Sequence, residues 1–251
     1  MSAFSLFEDE FSTPEKAPVE MAPREKLLEV HARLCALYGC PIAYFHDLDP
    51  LDELISALLS HRTKNADSSR AFKQLRAKFP SWQAVVDAPV AEIELQIAPV
   101  TWPEQKAPRL QAVVGEIRAR RGELSLDFLA EMKVNEARDW LEGLPGVGPK
   151  TSAATLSFSR LRMRALPVDS HHHRVAARLG LIPKSLSVGP SHAVLEAMLP
   201  SEWDAQSVYD NHEILMLHGQ NVCFFNAPQC HKCVLLELCP EGQKRLRRNA
   251  T

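Results

Sequence analysis

Leu144-Pro145-Gly146-Val147-Gly148-Pro149-Lys150 joins one helical pattern, ending near Gly143, to another beginning near Pro149. Gly146 and Gly148 can take backbone angles closed to other residues, and without side chains they let a flat ligand approach the main chain. Pro149 fits the first helical position, where its missing N–H costs nothing. The amides of the turn and the positive end of the second helix then face whatever docks there, an arrangement suited to a phosphate. Taken alone, the glycines fit a plain helix-turn-helix joint with glycine caps equally well.

Outward from this joint the sequence stays helical. Leu27, Val30, Leu34 and Leu37 form one stripe; Leu51, Leu54, Ile55, Leu58 and Leu59 form another; Leu110, Val113, Val114 and Ile117 a third. Further helices are expected over Asn135 to Leu144, Thr151 to Arg160, Ser170 to Leu179, Ser191 to Leu199 and Gln206 to His218. No alternating strand pair and no internal repeat stands out, so the expected class is all-α. Residues 1 to about 22 are polar, hold Pro14 and Pro18, and show no periodicity, which reads as a flexible acidic tail.

The net charge of −2 gives no hint of a nucleic-acid partner, but its distribution does. Between Glu142 and Glu196 the only acid is Asp169, whereas Lys150, Arg160, Arg162, Arg164, Arg174, Arg178 and Lys184 all fall there. A second basic run covers Arg62, Lys64, Arg70, Lys73, Arg76 and Lys78, interrupted by Asp67. Such segregation fits a phosphate-neutralising surface and fits solvated helix faces equally. The acidic start is the wrong charge for a secretory or mitochondrial leader, and no apolar run approaches a membrane span. Four of six cysteines crowd the last 30 residues, which suggests metal-binding thiols in a reducing compartment, hence the cytoplasm. Cys35 and Cys40 lie outside that crowd and read as buried or incidental thiols.

Lys150 gives the hairpin a chemical meaning. An ammonium beside the positive end of a helix is disfavoured, its pKa should fall, and a neutral amine is a nucleophile. The stretch resembles the helix-hairpin-helix glycosylase superfamily, and specifically the endonuclease III family, in which this motif carries a Schiff-base lysine. Leu166-Pro167-Val168-Asp169-Ser170-His171 is similar to the family's V-D-[ST]-H segment, whose aspartate is the second catalytic residue; Asp169 also suits an ordinary helix N-cap. The resemblance implies that Lys150 and Asp169 are catalytic, that Glu142, Ser60 and His171 are pocket groups, and that Leu144, Gly146, Val147 and Gly148 hold DNA.

Cys223-x6-Cys230-x2-Cys233-x5-Cys239 has one close pair flanked by single cysteines, unlike the two close pairs of most zinc sites. Four thiolates in a short loop suit a 4Fe-4S cluster. The spacing, preceded by Leu217-His218-Gly219, is similar to the one the endonuclease III family uses for that cluster.

The resemblance covers roughly residues 24 to 240, with three departures. Ser60-His61-Arg62-Thr63 stands where the family has S-A-Q-T, so Arg62 takes the place of a gap-filling glutamine. Thr101-Trp102-Pro103-Glu104-Gln105-Lys106 replaces a G-[LF]-[YF]-x-x-K segment, making Trp102 either a wedge or a buried core residue. Phe224-Phe225-Asn226-Ala227-Pro228-Gln229 lacks the basic residues usual between the first two cluster cysteines. The expected architecture is two helical domains flanking a DNA groove. A six-helix barrel domain spans residues 46–164, and a discontinuous cluster domain joins 21–45 with 165–251. The expected function is excision of oxidised pyrimidines from double-stranded DNA, with cleavage 3′ to abasic sites, by a monomer. The alternatives are a glycosylase for mismatched thymine or adenine with weak lyase activity, and a non-catalytic damage-binding scaffold.

Overall fold

The computed structural model describes residues 21–249; the acidic tail read over residues 1–20 lies outside them. All regular elements of the described residues are helical. In order they are α1 (Pro23–Tyr38), α2 (Pro50–Ser60), α3 (Asn65–Lys78), α4 (Trp82–Asp87), α5 (Val90–Gln96), α6 (Pro103–Arg121), α7 (Val134–Glu142), α8 (Pro149–Phe158), α9 (Ser170–Leu179), α10 (Val188–Met198), α11 (Ala205–Asn221) and α12 (Pro240–Asn249), with short 3-10 turns between some of them. No helix among them is long and apolar enough to cross a membrane.

Local chemistry sets the boundaries. Proline occupies the first turn of α1, α2, α6 and α8, where its ring presets the helical angle and no donor is lost. The Asp169 carboxylate caps α9 by accepting the His172 amide at 2.7 Å, and Asp204 caps α11 the same way at 2.8 Å. The helix expected from Ser170 to Leu179 has those bounds, while α4 and α5 are too short to show a stripe. Of the basic run from Arg62 to Lys78, the part from Asn65 onward is α3, whose Ala71 and Leu75 are buried under its charged face.

Two apolar cores form. One gathers side chains from α2 to α8, among them Leu54, Leu59, Leu110, Val114 and Leu156. The other packs Leu27, Val30 and Leu34 of α1 against Leu166, Val175, Leu195, Ile214 and Leu238, so the first helix closes against the C-terminal half. A small seam of Ala57, Ala154, Phe158 and Tyr209 lies apart from both. Arg138 of α7 reaches Glu196 of α10 through two bonds of 2.7 and 3.0 Å, both side chains being mostly buried.

Cys35 and Cys40 are not the separate thiols expected. They form a disulfide with Cα atoms 5.0 Å apart. Gly39, at φ +82°, reverses the chain at the end of α1 and brings Cys40 back over the preceding turn.

Candidate active site

A groove of about 1370 Å³ collects residues from α2, α6, α8 and α11 and from the strand-like approach to α9. The 144–150 hairpin delivers Lys150 to it as the second residue of α8, directly after Pro149. Burial pushes the Lys150 ammonium below the usual lysine range, and the carboxylates of Asp169 and Glu53 oppose that fall without cancelling it. Asp169 lines the same groove, so its N-cap bond to α9 fixes the carboxylate beside the lysine's field. The capping reading is thus met, and the same side chain stands in the groove with Lys150.

Other groups around this pair were not read from the sequence. Glu213 of α11 has its carboxyl raised to about 7, first by burial and then by the charges of Asp169 and Asp210. His212 beside it is held at about 4, mainly by burial, and its Nδ1 faces the Pro167 carbonyl at 2.8 Å, the geometry of a neutral ring donating that proton. It stacks on His172 with ring centroids 5.8 Å apart. His61 is also lowered to about 4, by burial first and then by the Lys150, Lys106 and Arg109 charges, and its Nε2 lies 2.8 Å from Thr151 Oγ1. Little in the sequence signals these residues: Glu53 directly follows Asp52, and His212 and Glu213 close the polar run Asp210-Asn211-His212-Glu213, all four of which are buried in α11.

The rim carries the first two departures from the family pattern. Arg62 and Trp102 are both non-glycine residues with positive φ, 52° and 56°, conformations costing about 1 kcal/mol or more each. They stand together, the Arg62 guanidinium 5.8 Å from the Trp102 ring. Trp102 is 45% exposed, which removes the core reading of this residue. Lys106 fastens the two turns, donating to the carbonyls of Leu59 and His61 at 2.8 Å each and to Thr63 Oγ1 at 3.0 Å. Thr101 completes the fastening: its amide donates to Thr63 Oγ1 and its hydroxyl to the Arg62 carbonyl.

The remaining expected residues divide. Ser60 and His171 line the groove, Ser60 donating to the Ala57 carbonyl and His171 Nδ1 accepting from Arg174. Glu142 stands away from it, accepting the Ser152 hydroxyl at 2.7 Å and so tying α7 to α8. Leu144 and Val147 point into the core, 2% and 6% exposed, so the hairpin offers a ligand its backbone and not these side chains. Gly146 requires its φ of +75°, and an added Cβ would come within 2.6 Å of Arg109 Cδ. Gly148 does not need glycine for its angles, φ being −120°. Its lack of a side chain leaves the start of α8 uncapped and open.

Cys223, Cys230, Cys233 and Cys239 face one small cavity together with Arg178 and Arg245. Among the described residues no group of three or more His, Cys, Asp or Glu side chains is arranged to hold a metal ion. Two N–H groups aim at the sulfurs, Arg178 Nη1 3.2 Å from Cys223 and the Gly242 amide 3.3 Å from Cys239, while Cys239 Sγ donates to the Arg178 carbonyl at 3.4 Å and Cys233 Sγ lies 3.4 Å from His218 Nε2. Burial pushes the Cys230, Cys233 and Cys239 thiols up.

A helical groove with an uncapped glycine hairpin and a half-buried lysine and aspartate along its wall defines a class. Residues 55–199 match the HhH-GPD superfamily of base excision DNA repair proteins, and the chain belongs to that superfamily. Over 198 residues it is 30% identical to endonuclease III of Bacillus subtilis, covering 78% of this chain and 84% of that one, which places it in the endonuclease III family. A putative DNA glycosylase of Arabidopsis thaliana is 33% identical over 190 residues, 76% of this chain and 63% of the plant protein's length. Among solved structures, a trapped endonuclease III–DNA covalent intermediate superposes with a TM-score of 0.75 at 26% identity, covering 90% of this chain and 100% of that one.

Proposed function

We propose that the protein is a DNA glycosylase with abasic-site lyase activity, acting on oxidised pyrimidines in double-stranded DNA. The observation that carries this reading is Lys150, a buried amine at the open end of α8 in the same groove as Asp169. Burial favours the neutral amine that attack requires.

The damaged nucleotide must first leave the stack, at a cost of a few kcal/mol that is smallest for poorly stacked lesions. Arg62 and Trp102, which stand together at the rim beside Lys106, would fill the space it leaves. The hairpin amides and the positive start of α8 hold a backbone phosphate. Lys150 then attacks C1′ as the glycosidic bond breaks and the base departs with its electron pair. Asp169 stabilises the positive charge developing on the sugar and accepts the proton shed by the amine. The C1′–O4′ bond then opens, O4′ taking the proton back from Asp169, and the iminium so formed acidifies C2′; loss of that proton breaks the C3′–O bond, and water releases the lysine.

Cys223, Cys230, Cys233 and Cys239 would hold a 4Fe-4S cluster. When bound, it supplies folding energy to a loop whose own core is small. Arg174 and Arg178 link that loop to α9 by donating to the carbonyls of Gly219, Cys223, Phe224 and Phe225. Purified protein should be brown and contain iron; zinc in its place would overturn the cofactor assignment. Duplexes bearing an oxidised pyrimidine should be cut 3′ to the lesion. Base release without strand cleavage would leave a monofunctional glycosylase, and inertness on a broad panel would refute the reading.

A further inference from the structure

Lys150 and Asp169 act on the sugar, so other groups must meet the base. On the assigned reaction, we propose that Glu53, backed by His46, reads the pairing edge of the base turned into the groove by accepting an N–H from it.

Glu53 projects from α2 between apolar neighbours, with Leu54 and Ile55 in the core and Ala57 at the seam, and it is only 3% exposed. A carboxylate in such a place is costly unless its oxygens are satisfied. Its neighbour is His46, whose Nε2 stands 3.0 Å from Oε2. His46 takes up at most one lone pair of Oε2, so the carboxylate keeps open acceptor sites, and His46 Nδ1 is buried without a hydrogen-bond partner. The pair therefore keeps accepting capacity within the groove wall that Lys150 and Asp169 share. Burial lifts the Glu53 carboxyl above its ordinary range, while His46, Lys150 and Arg162 pull it down.

The adjoining surface has the character of a base subsite. Phe45 and Phe158 line the same groove with ring centroids 5.5 Å apart, and Phe158 also meets His212 at 5.4 Å. Aromatic walls with one convergent acceptor suit a planar heterocycle carrying an N–H, such as the imide of an oxidised uracil or thymine derivative. A hydrogen bond read by a buried group also rejects bases lacking the donor, because the acceptor is then left unpaired.

The full-length protein with Glu53→Gln is compared with wild type on two duplexes, one carrying 5-hydroxyuracil and one carrying a preformed abasic site. Base release should fall about tenfold or more in kcat/KM, and at least about fivefold further than abasic-site cleavage, which also loses the Glu53 charge that acts on Lys150. Equal losses on both substrates would mean that Glu53 serves Lys150 or the fold, and no change on either would remove it from recognition; both overturn the proposal. If the variant does not fold, wild type is tested on 5-hydroxyuracil methylated at N3. Release should again be at least about tenfold slower, and an unchanged rate overturns the proposal. A wild-type protein inert on both duplexes defeats the functional reading itself, and this inference with it.

Discussion

Replacing Lys106 by Met should loosen the rim of the groove far more than it disturbs either core. The ammonium makes three bonds of 2.8 to 3.0 Å, to Leu59 O, His61 O and Thr63 Oγ1, and these hold the turn that carries Arg62. Bonds to a charged donor contribute about 1.5–3 kcal/mol each when buried. The net loss is smaller, because burial already pushes this amine down to about 8 and Met escapes that penalty. The freed oxygens also border an open groove that water can enter. A loss of about 2 kcal/mol of stability follows, or roughly 4–8 °C in Tm for a chain of this size. The larger effect is local. Arg62 at φ 52° and Trp102 at φ 56° keep strained angles only while the surrounding bonds impose them. Once released, each should relax, and affinity for a duplex with a stable abasic analogue should fall about tenfold, or ~1.4 kcal/mol. Fluorescence anisotropy at fixed salt measures this. Wild-type affinity together with wild-type Tm would refute the role given to Lys106.

Two further substitutions separate burial from binding. Glu213 has a folded pKa of about 7 against an ordinary 4.5, so its folded form resists ionisation. Below about pH 4.5 both states are protonated and no penalty arises; the penalty grows as pH rises to about 7 and is complete above it, reaching roughly 3 kcal/mol. Glu213→Gln should therefore stabilise the protein at about pH 8 in urea unfolding, with the gain vanishing near pH 4.5; a pH-independent difference would contradict the assignment. Trp102→Gly removes a half-exposed ring and a strained backbone, so stability should hold or rise by up to about 1 kcal/mol while DNA affinity drops. Lost stability with retained affinity would return Trp102 to a packing role.

What the sequence made legible was local in the chain. The hairpin, its proline and its lysine lie within seven consecutive residues, and Asp169 stood out as the lone acid of a basic stretch. The stripes of α1, α2 and α6 displayed their buried faces because helical spacing encodes them directly, except at Leu37, which ends the α1 stripe in solvent at 48% exposure. Less legible was whatever depends on tertiary approach. Glu53, Asp169 and Glu213 are far apart in sequence and meet only because α2, α9 and α11 converge on one groove. The direction of a side chain was hidden too: Leu144 and Val147 belong to the motif read as a phosphate grip, yet they point into the core. Glu142 was carried over by position and instead braces α8 through Ser152. Cys35 and Cys40 fell outside the cluster spacing, and only the reversal at Gly39 pairs them.

The central claim is that the amine of Lys150 becomes covalently joined to the sugar. Borohydride added during reaction with a lesion-bearing duplex should trap a stable protein–DNA adduct, and peptide mass analysis should place the attachment at Lys150. Lys150→Ala should abolish that adduct while leaving a folded, DNA-binding protein. An adduct mapped to another residue, or undiminished strand cleavage by Lys150→Ala, would contradict the account.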